Sequence, residues 1–440
     1  MRDRVLRVVG ILASLVGAMP AMAQPYALTE STRADDSARL AAETTLNGTL
    51  KVTRDGKQVP IRISAKNEHV FFERLLAVEK GLPRKSVRHY LTATSKANVD
   101  DERVERALAA DHRLIVAQRT AESLLCYSPD GPLTRTERDV VSEHFETLHL
   151  TGLLPGKDVN VGDTWKIDAK IAQSVCLLDG VIAHTLTGKL KEVSANIVVI
   201  VVEGAAKGIE NGAMAELTIT AEVRFDLAKK RIVRVDWKQK DVRGQGSVSP
   251  AAEVETTTVL TRESLEETPA EVGPAVVARI PVDEPPATLV YLLHRDPRNR
   301  FEFLYSRDWH TVGQTDHHLV LRFLDRGDFV AQATLATWQN AGAGKHISPE
   351  EFEKLAVGGT GWKMEEVLER GEVPTDAGRW VYRITARGDL EGSKVIQSFY
   401  VVAAPNGEQM IVTFTMRPAS ATRMGTRDLA IVNAIEFPKK

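Results

Sequence analysis

The chain has 440 residues, with 57 Lys and Arg against 59 Asp and Glu, 43% apolar residues, two cysteines and six tryptophans. At roughly 150 residues per domain, that length holds two or three domains with sizeable cores, and the composition excludes a disordered or collagen-like chain. A formal net charge of −2 and a pI of about 6.6 exclude the strongly basic surface of a nucleic-acid-binding protein.

The first element in chain order reads as a secretory signal over residues 1–23. Arg2, Arg4 and Arg7 form a basic start, Val8 to Ala18 an apolar stretch, and Ala21-Met22-Ala23 a small-x-small cleavage pattern. The apolar stretch is about half of the roughly 20 residues that span a bilayer, so the expectation is cleavage and export to the periplasm or beyond rather than anchoring. Cleavage removes three Arg and one Asp, leaving 54 basic and 58 acidic residues and a net charge of −4. No later segment approaches transmembrane length.

Residues 24–40 are polar and aperiodic and read as a flexible lead-in. β signals dominate from 41 to 265. Leu46 to Thr53 and Val59 to Ala65 flank Asp55-Gly56, a turn pair in which both residues tolerate positive φ, and further such pairs follow at 130, 179, 211 and 406. Thr134 and Glu137 form a capping box, followed by a helical apolar stripe of Val140, Val141, Phe145 and Leu148. The run Ile197 to Val202 is six β-branched residues and reads as a strand covered on both faces. Met214 to Phe225 is the clearest strand, with Ala215, Leu217, Ile219, Ala221, Val223 and Phe225 inward and polar residues dominating the alternate positions. Ile232 to Lys238 continues the pattern with Val233, Val235 and Trp237 inward. Long one-sided antiparallel strands twist and curl, leaving a concave apolar face that a helix, a lid or a ligand must cover.

Residues 266–300, with six of the 19 prolines between Pro269 and Pro297, read as a Pro-rich linker. Beyond it, Phe301-Glu302-Phe303-Leu304-Tyr305, Asp308-Trp309, two strands, Pro349-Glu350-Glu351-Phe352, three more strands, a last helix and Ile435-Glu436-Phe437 follow in order. This pattern, over 301–437, resembles PsbP-like domains. The resemblance implies an α/β sandwich and an accessory protein without catalytic activity; Ser306 departs from it where many members have a proline. The first domain resembles the curled sheets of LolA-like lipoprotein carriers, with Val161-Gly162-Asp163-Thr164-Trp165 a strand start seen in secreted bacterial proteins. The fold class read from these segments is α+β: a curled antiparallel β-sheet domain with a packed helix, then a PsbP-like α/β sandwich.

Catalytic patterns are absent from the sequence. Gly342-Ala343-Gly344-Lys345 fails as a phosphate loop, because His346 follows the lysine and Gln339 stands where the first glycine belongs. Glu146 and His149 form a single Glu-x-x-His without the second copy that a di-metal bundle needs. Asp316-His317-His318 places its histidines on opposite faces of any strand. No cofactor, metal or catalytic residue is assigned. In an oxidising compartment Cys126 and Cys176 are a candidate disulfide, with two buried thiols as the alternative. Trp165 and Trp237 are the candidate pocket residues, with core packing as the alternative. The functional expectation is an exported, non-catalytic binding or accessory protein. Its partner would be an apolar small ligand on the concave sheet or a protein of the cell envelope. The alternatives are a ligand-free structural protein of the envelope and an enzyme of unrecognised class.

Overall fold

The computed structural model describes residues 25–54, 57–120, 123–142, 145–375 and 378–438. The signal-like segment 1–23 and the Asp55-Gly56 pair lie outside the described residues. Thirteen strands form one antiparallel sheet. The first seven are β1 (Ser37–Arg54), β2 (Lys57–Glu79), β3 (Leu82–Val99), β4 (Glu102–Ala107), β5 (Leu114–Arg119), β6 (Leu124–Tyr127) and β7 (Thr164–Lys166). The remaining six are β8 (Gly180–His184), β9 (Thr187–Ser194), β10 (Ile197–Glu210), β11 (Ala213–Asp226), β12 (Arg231–Arg243) and β13 (Ala251–Ser264). Across the sheet the order is β6-β5-β3-β2-β1-β13-β12-β11-β10-β9-β7, with β4 beside β3 and β8 beside β10.

The alternation read in the sequence sets the buried face. Every odd position from Ala213 to Phe225 is buried, and their partners on β12, Ile232, Val235 and Trp237, are buried with them. A register shift beside Arg224 turns Ile232, rather than the expected Val233, inward. Turn chemistry closes the hairpins. Asn211-Gly212 has φ of 50° and 73°, the paired left-handed geometry of a two-residue hairpin turn. Lys80-Gly81 adopts the same geometry at 52° and 81°. At Gly48 a Cβ would meet the Glu253 carbonyl oxygen at 2.3 Å, so β1 and β13 approach closely only because that position lacks a side chain.

Two short helices belong to this half, α1 (Arg135–Val141) and α2 (Ala169–Val175). α1 starts on the expected capping box between Thr134 and Glu137. It ends at Val141, so Phe145 and Leu148 cover the sheet from a non-helical segment and a 3-10 turn follows at Leu150–Leu153.

Two segments differ from their expected looseness. In the 24–40 stretch, Leu28 is fully buried, Tyr26–Ala27 pairs with Asp158–Val159, and Glu30 accepts from the Ile232 amide and is ion-paired with Arg262. The proline-dense 266–300 stretch is packed rather than extended: Val272 and Ile280 are buried against Val87, Leu114, Val116 and Tyr127.

The C-terminal half is a seven-stranded antiparallel sheet: β14 (Trp309–Gln314), β15 (His318–Asp325), β16 (Asp328–Trp338), β17 (Trp362–Glu372), β18 (Trp380–Leu390), β19 (Ser393–Ala403) and β20 (Gln409–Met416). Its order is β14-β15-β16-β20-β19-β18-β17. Helix α3 (Pro349–Val357), capped by Ser348 and Glu351 as expected, packs Phe352 against Tyr382 and Ile384. Helix α4 (Arg427–Ala434) is held on the opposite face, where the Tyr400 hydroxyl donates to Asp428 at 2.7 Å. The Glu302–Tyr305 strand pairs outside this sheet, with Leu292–Arg295.

The α+β class is corrected by this architecture. Of the described residues 56% lie in strands and 14% in helices, a mostly β molecule. The reason is length: β2 alone has 23 residues and the labelled helices have seven to nine, so long strands joined by tight turns leave little chain for helices. Among the described residues no helix is long and apolar enough to cross a membrane.

Candidate functional site

The insert between β6 and β7, together with α2, lies against the apolar face of the large sheet. Trp237 on β12 packs its ring 4.8 Å from Phe145. Buried ionic groups clasp the insert from the other side. Arg88 on β3 donates to Glu73 at 2.8 Å and to Thr147 Oγ1 at 2.7 Å, and Ser86 donates to the same Glu73 oxygen at 3.0 Å. Arg119 on β5 donates to Glu146 at 2.7 Å and to Ser174 Oγ on α2 at 2.6 Å. His149 Nδ1 lies 2.8 Å from the same Ser174 oxygen, and His69 Nε2 donates to the Val140 carbonyl at 2.7 Å. Burial, reinforced by the nearby Arg119 and Arg84 charges, pushes His149 down to about 4, so its ring is neutral at neutral pH. The sequence reading set Glu146 and His149 aside as an incomplete metal motif; the fold uses both to hold the insert.

This covered part of the face is filled by the protein's own side chains. The cavity beside Glu73 and Thr147 and the one between Phe71 and Phe145 measure about 20 Å³ each, room for one water. Trp237 is 1% exposed and donates to Gln239 at 3.0 Å. Trp165 donates to the Leu153 carbonyl at 3.0 Å, and its indole lies where a Cβ on Gly188 would be, 2.4 Å away. Both tryptophans therefore pack between sheet and insert. Cys126 and Cys176 are each buried and no disulfide joins them, which corrects the expected bridge. Each thiol is enclosed by the apolar core, and burial raises the Cys176 thiol to about 12.

Away from the insert the same face continues as a stripe of partly buried apolar side chains. The register of β4, β3, β2, β1 and β13 places Val104, Ala97, Val99, Ala65, Ile63, Ile61, Leu46, Leu50 and Val254 side by side. None of them belongs to a buried core cluster; Val99 is 37% exposed and the other eight are half-buried. The alternate positions Arg62, Lys66, Lys96 and Arg103 face the other side. Asp241 sits beside Cys176 near the limit of the covered region, and burial raises its carboxyl to about 6. The sequence signal for this stripe was the alternation in Val59 to Ala65, which could not say where the insert stops.

Two other places gather polar groups. The β10–β11 and β15–β16 turns meet at Gly212 and Gly327, and a cleft of about 800 Å³ lies beside that contact, lined in part by Asp179, Asn211, His310, Asp325 and Arg427. Asp111, His112 and Glu137 bring one ligand atom each within 4.8 Å of one another, a cluster the sequence did not suggest because 25 positions separate His112 from Glu137. Glu137 is already engaged: one oxygen faces His112 Nδ1 at 2.7 Å and the other accepts from the Thr134 amide at 2.8 Å.

No family model and no curated protein matches the sequence. Among solved structures there is a weak resemblance to cyanobacterial PsbP (CyanoP) from Synechocystis sp. PCC 6803, at 13% identity and a TM-score of 0.26. It covers 34% of this chain and 92% of that one. A structure of lipovitellin aligns at 10% identity and a TM-score of 0.32, over 54% of this chain and 26% of its own length. The translocator domain of the autotransporter NalP from Neisseria meningitidis aligns at 7% identity and a TM-score of 0.14, over 87% of this chain and 88% of that one.

Proposed function

We propose that this chain is an exported, non-catalytic binding protein that holds an apolar ligand on the partly buried apolar stripe of its large sheet. The stripe from Val104 through Ile63 and Leu50 to Val254 carries this reading, because five adjacent strands present half-buried or exposed apolar side chains on one face outside the buried core clusters. Five strands spaced about 4.8 Å apart, over about five residues each, make a face on the order of 400 Å². That is about half of the roughly 800 Å² per partner in a stable protein interface, and it suits a single acyl chain about 20 Å long. The water-sized cavities under the insert favour a purely structural role for the covered part.

The test is retention of a fluorescent long-chain fatty acid by the purified protein, with an Ile63→Asp variant and an Ile182→Asp control, since Ile182 is exposed on β8 away from the stripe. Retention by the wild type and the control, and at least tenfold weaker retention by Ile63→Asp, is the expected pattern. No retention, or retention unchanged in Ile63→Asp, sinks the proposal.

A further inference from the structure

Where the insert stops and the apolar stripe begins, two polar side chains stand on the same face of β12. Asp241 lies opposite Leu217 on β11 and Val254 on β13, and Arg243 lies opposite Ala215 and Ala252, so both share the face of the stripe. The insert reaches them from one side only. Cys176 is close enough to feel the Asp241 charge, and Leu178 covers Gly208, the next position beyond Ala215, where its Cδ1 would be 2.8 Å from an added Cβ. On the other side the row continues from Asp241 through Val254, Gly48 and Ile63 to Val99. That is four strand spacings, ~19 Å.

The two side chains are only partly satisfied. Gln239 hydrogen-bonds the Asp241 carboxyl and Arg243 Nη1 donates to Glu210, yet Asp241 Oδ1 and Arg243 Nε are buried with no hydrogen-bond partner among the described residues. Buried polar atoms are almost always paired, with protein, water or a ligand. Here an acceptor and a donor, two positions apart on one strand face, stand at the end of an apolar track. The rows beyond them, Val254 to Val99 and Ala252 through Leu50 to Ile61, carry no polar side chain.

We infer that Asp241 and Arg243 hold the head group of a neutral single-chain amphiphile, whose tail lies across β13, β1 and β2. The head must donate one hydrogen bond to Asp241 and accept one from Arg243, as a glycerol hydroxyl pair or a primary amide does. A carboxylate head could accept from Arg243 but would lie against Asp241 and Glu210, two carboxylates beside one guanidinium. A cationic head would leave Nε unpaired beside a like charge. The inference rests on the apolar-ligand reading and gives it a direction, with the head at the insert and the tail toward β3.

The test is displacement of the fluorescent fatty acid from the full chain by monooleoylglycerol and by methyl oleate, which share an acyl chain but differ in that the methyl ester donates no hydrogen bond. Monooleoylglycerol should compete about tenfold more strongly, the worth of one hydrogen bond to a charged group. Asp241→Leu removes the acceptor, and Arg243→Lys keeps a cation for Glu210 but lacks Nε. Each should remove most of that preference while binding methyl oleate as the wild type does, which also shows that the variant is folded. Ile63→Asp should weaken both lipids alike. Equal competition by the two lipids in the wild type would show that water alone serves the two atoms, and it overturns the inference with the apolar-ligand reading intact. A preference unchanged in both variants overturns it as well. Failure of every probe to bind sinks both readings together.

Discussion

Arg88 is fully buried, and Glu73, its ion-pair partner, is 6% exposed. Removing one member of a buried pair strands the other charge in a medium that solvates it poorly, at a cost of about 3–5 kcal/mol, whereas replacing both with apolar side chains is often near neutral. Arg88→Met alone should therefore destabilise the protein by about 3–5 kcal/mol, and Arg88→Met/Glu73→Leu should recover most of that loss. Urea denaturation of the two single variants and the double variant measures it; a double variant no better than Arg88→Met would show that the pair is not the coupled unit. Neither residue stood out in the sequence. An Arg and a Glu fifteen positions apart on neighbouring strands look like ordinary polar positions until the register places them under Thr147.

At the scale of elements, the helix starts were legible and their lengths were not. Thr134 with Glu137 and Ser348 with Glu351 form the two capping boxes that the sequence showed, because the motif is local and satisfies the first free amides of each helix. α1 still ends at Val141, since nothing in its sequence beyond that point outweighs packing of Phe145 onto Trp237. Thr134→Ala should cost about 1 kcal/mol in a chemical denaturation measurement, and Thr134→Ser should recover it. The hairpin turns divide in the same way. Asn211-Gly212 was readable, while Lys80-Gly81, Arg326-Gly327 and Glu391-Gly392 put ordinary side chains at positive φ that the sheet register enforces.

Across the whole molecule, burial of histidines should make the fold acid-sensitive. His149, His294 and His310 are each held at about 4 by burial, against an ordinary value near 6.5 in the unfolded chain. Between about pH 6.5 and pH 4 the unfolded chain binds protons that the folded chain refuses, so stability falls as the pH drops through that window. Asp241, raised to about 6, acts in the opposite sense, its contribution present at low pH and lost as pH rises through 6. Burial also lowers His89 and His184 and raises Asp179, so five histidines act against two carboxyls and leave a net loss with acid, up to about 3 kcal/mol for each histidine held at about 4. Urea midpoints measured across the window should fall with pH, with a shallower slope in His149→Gln; a flat profile would contradict the burial of these rings.

The large and small sheets are also one packed body. A single apolar cluster runs through both, Leu293 donates to the Leu133 carbonyl, and Arg307 reaches the Cys126 carbonyl at 2.7 Å. The sequence by itself determined the strand faces, the capped helix starts and a β-rich first half, because those depend on the two- and 3.6-residue periods of a local chain. Tertiary structure alone decided that the molecule is mostly β, that Cys126 and Cys176 stay apart, and that Trp165 and Trp237 serve packing. It also decided where the insert ends and which apolar strand faces lie outside the buried core. Those outcomes depend on which distant strands pair and in what register, and one-dimensional periodicity carries no record of that pairing.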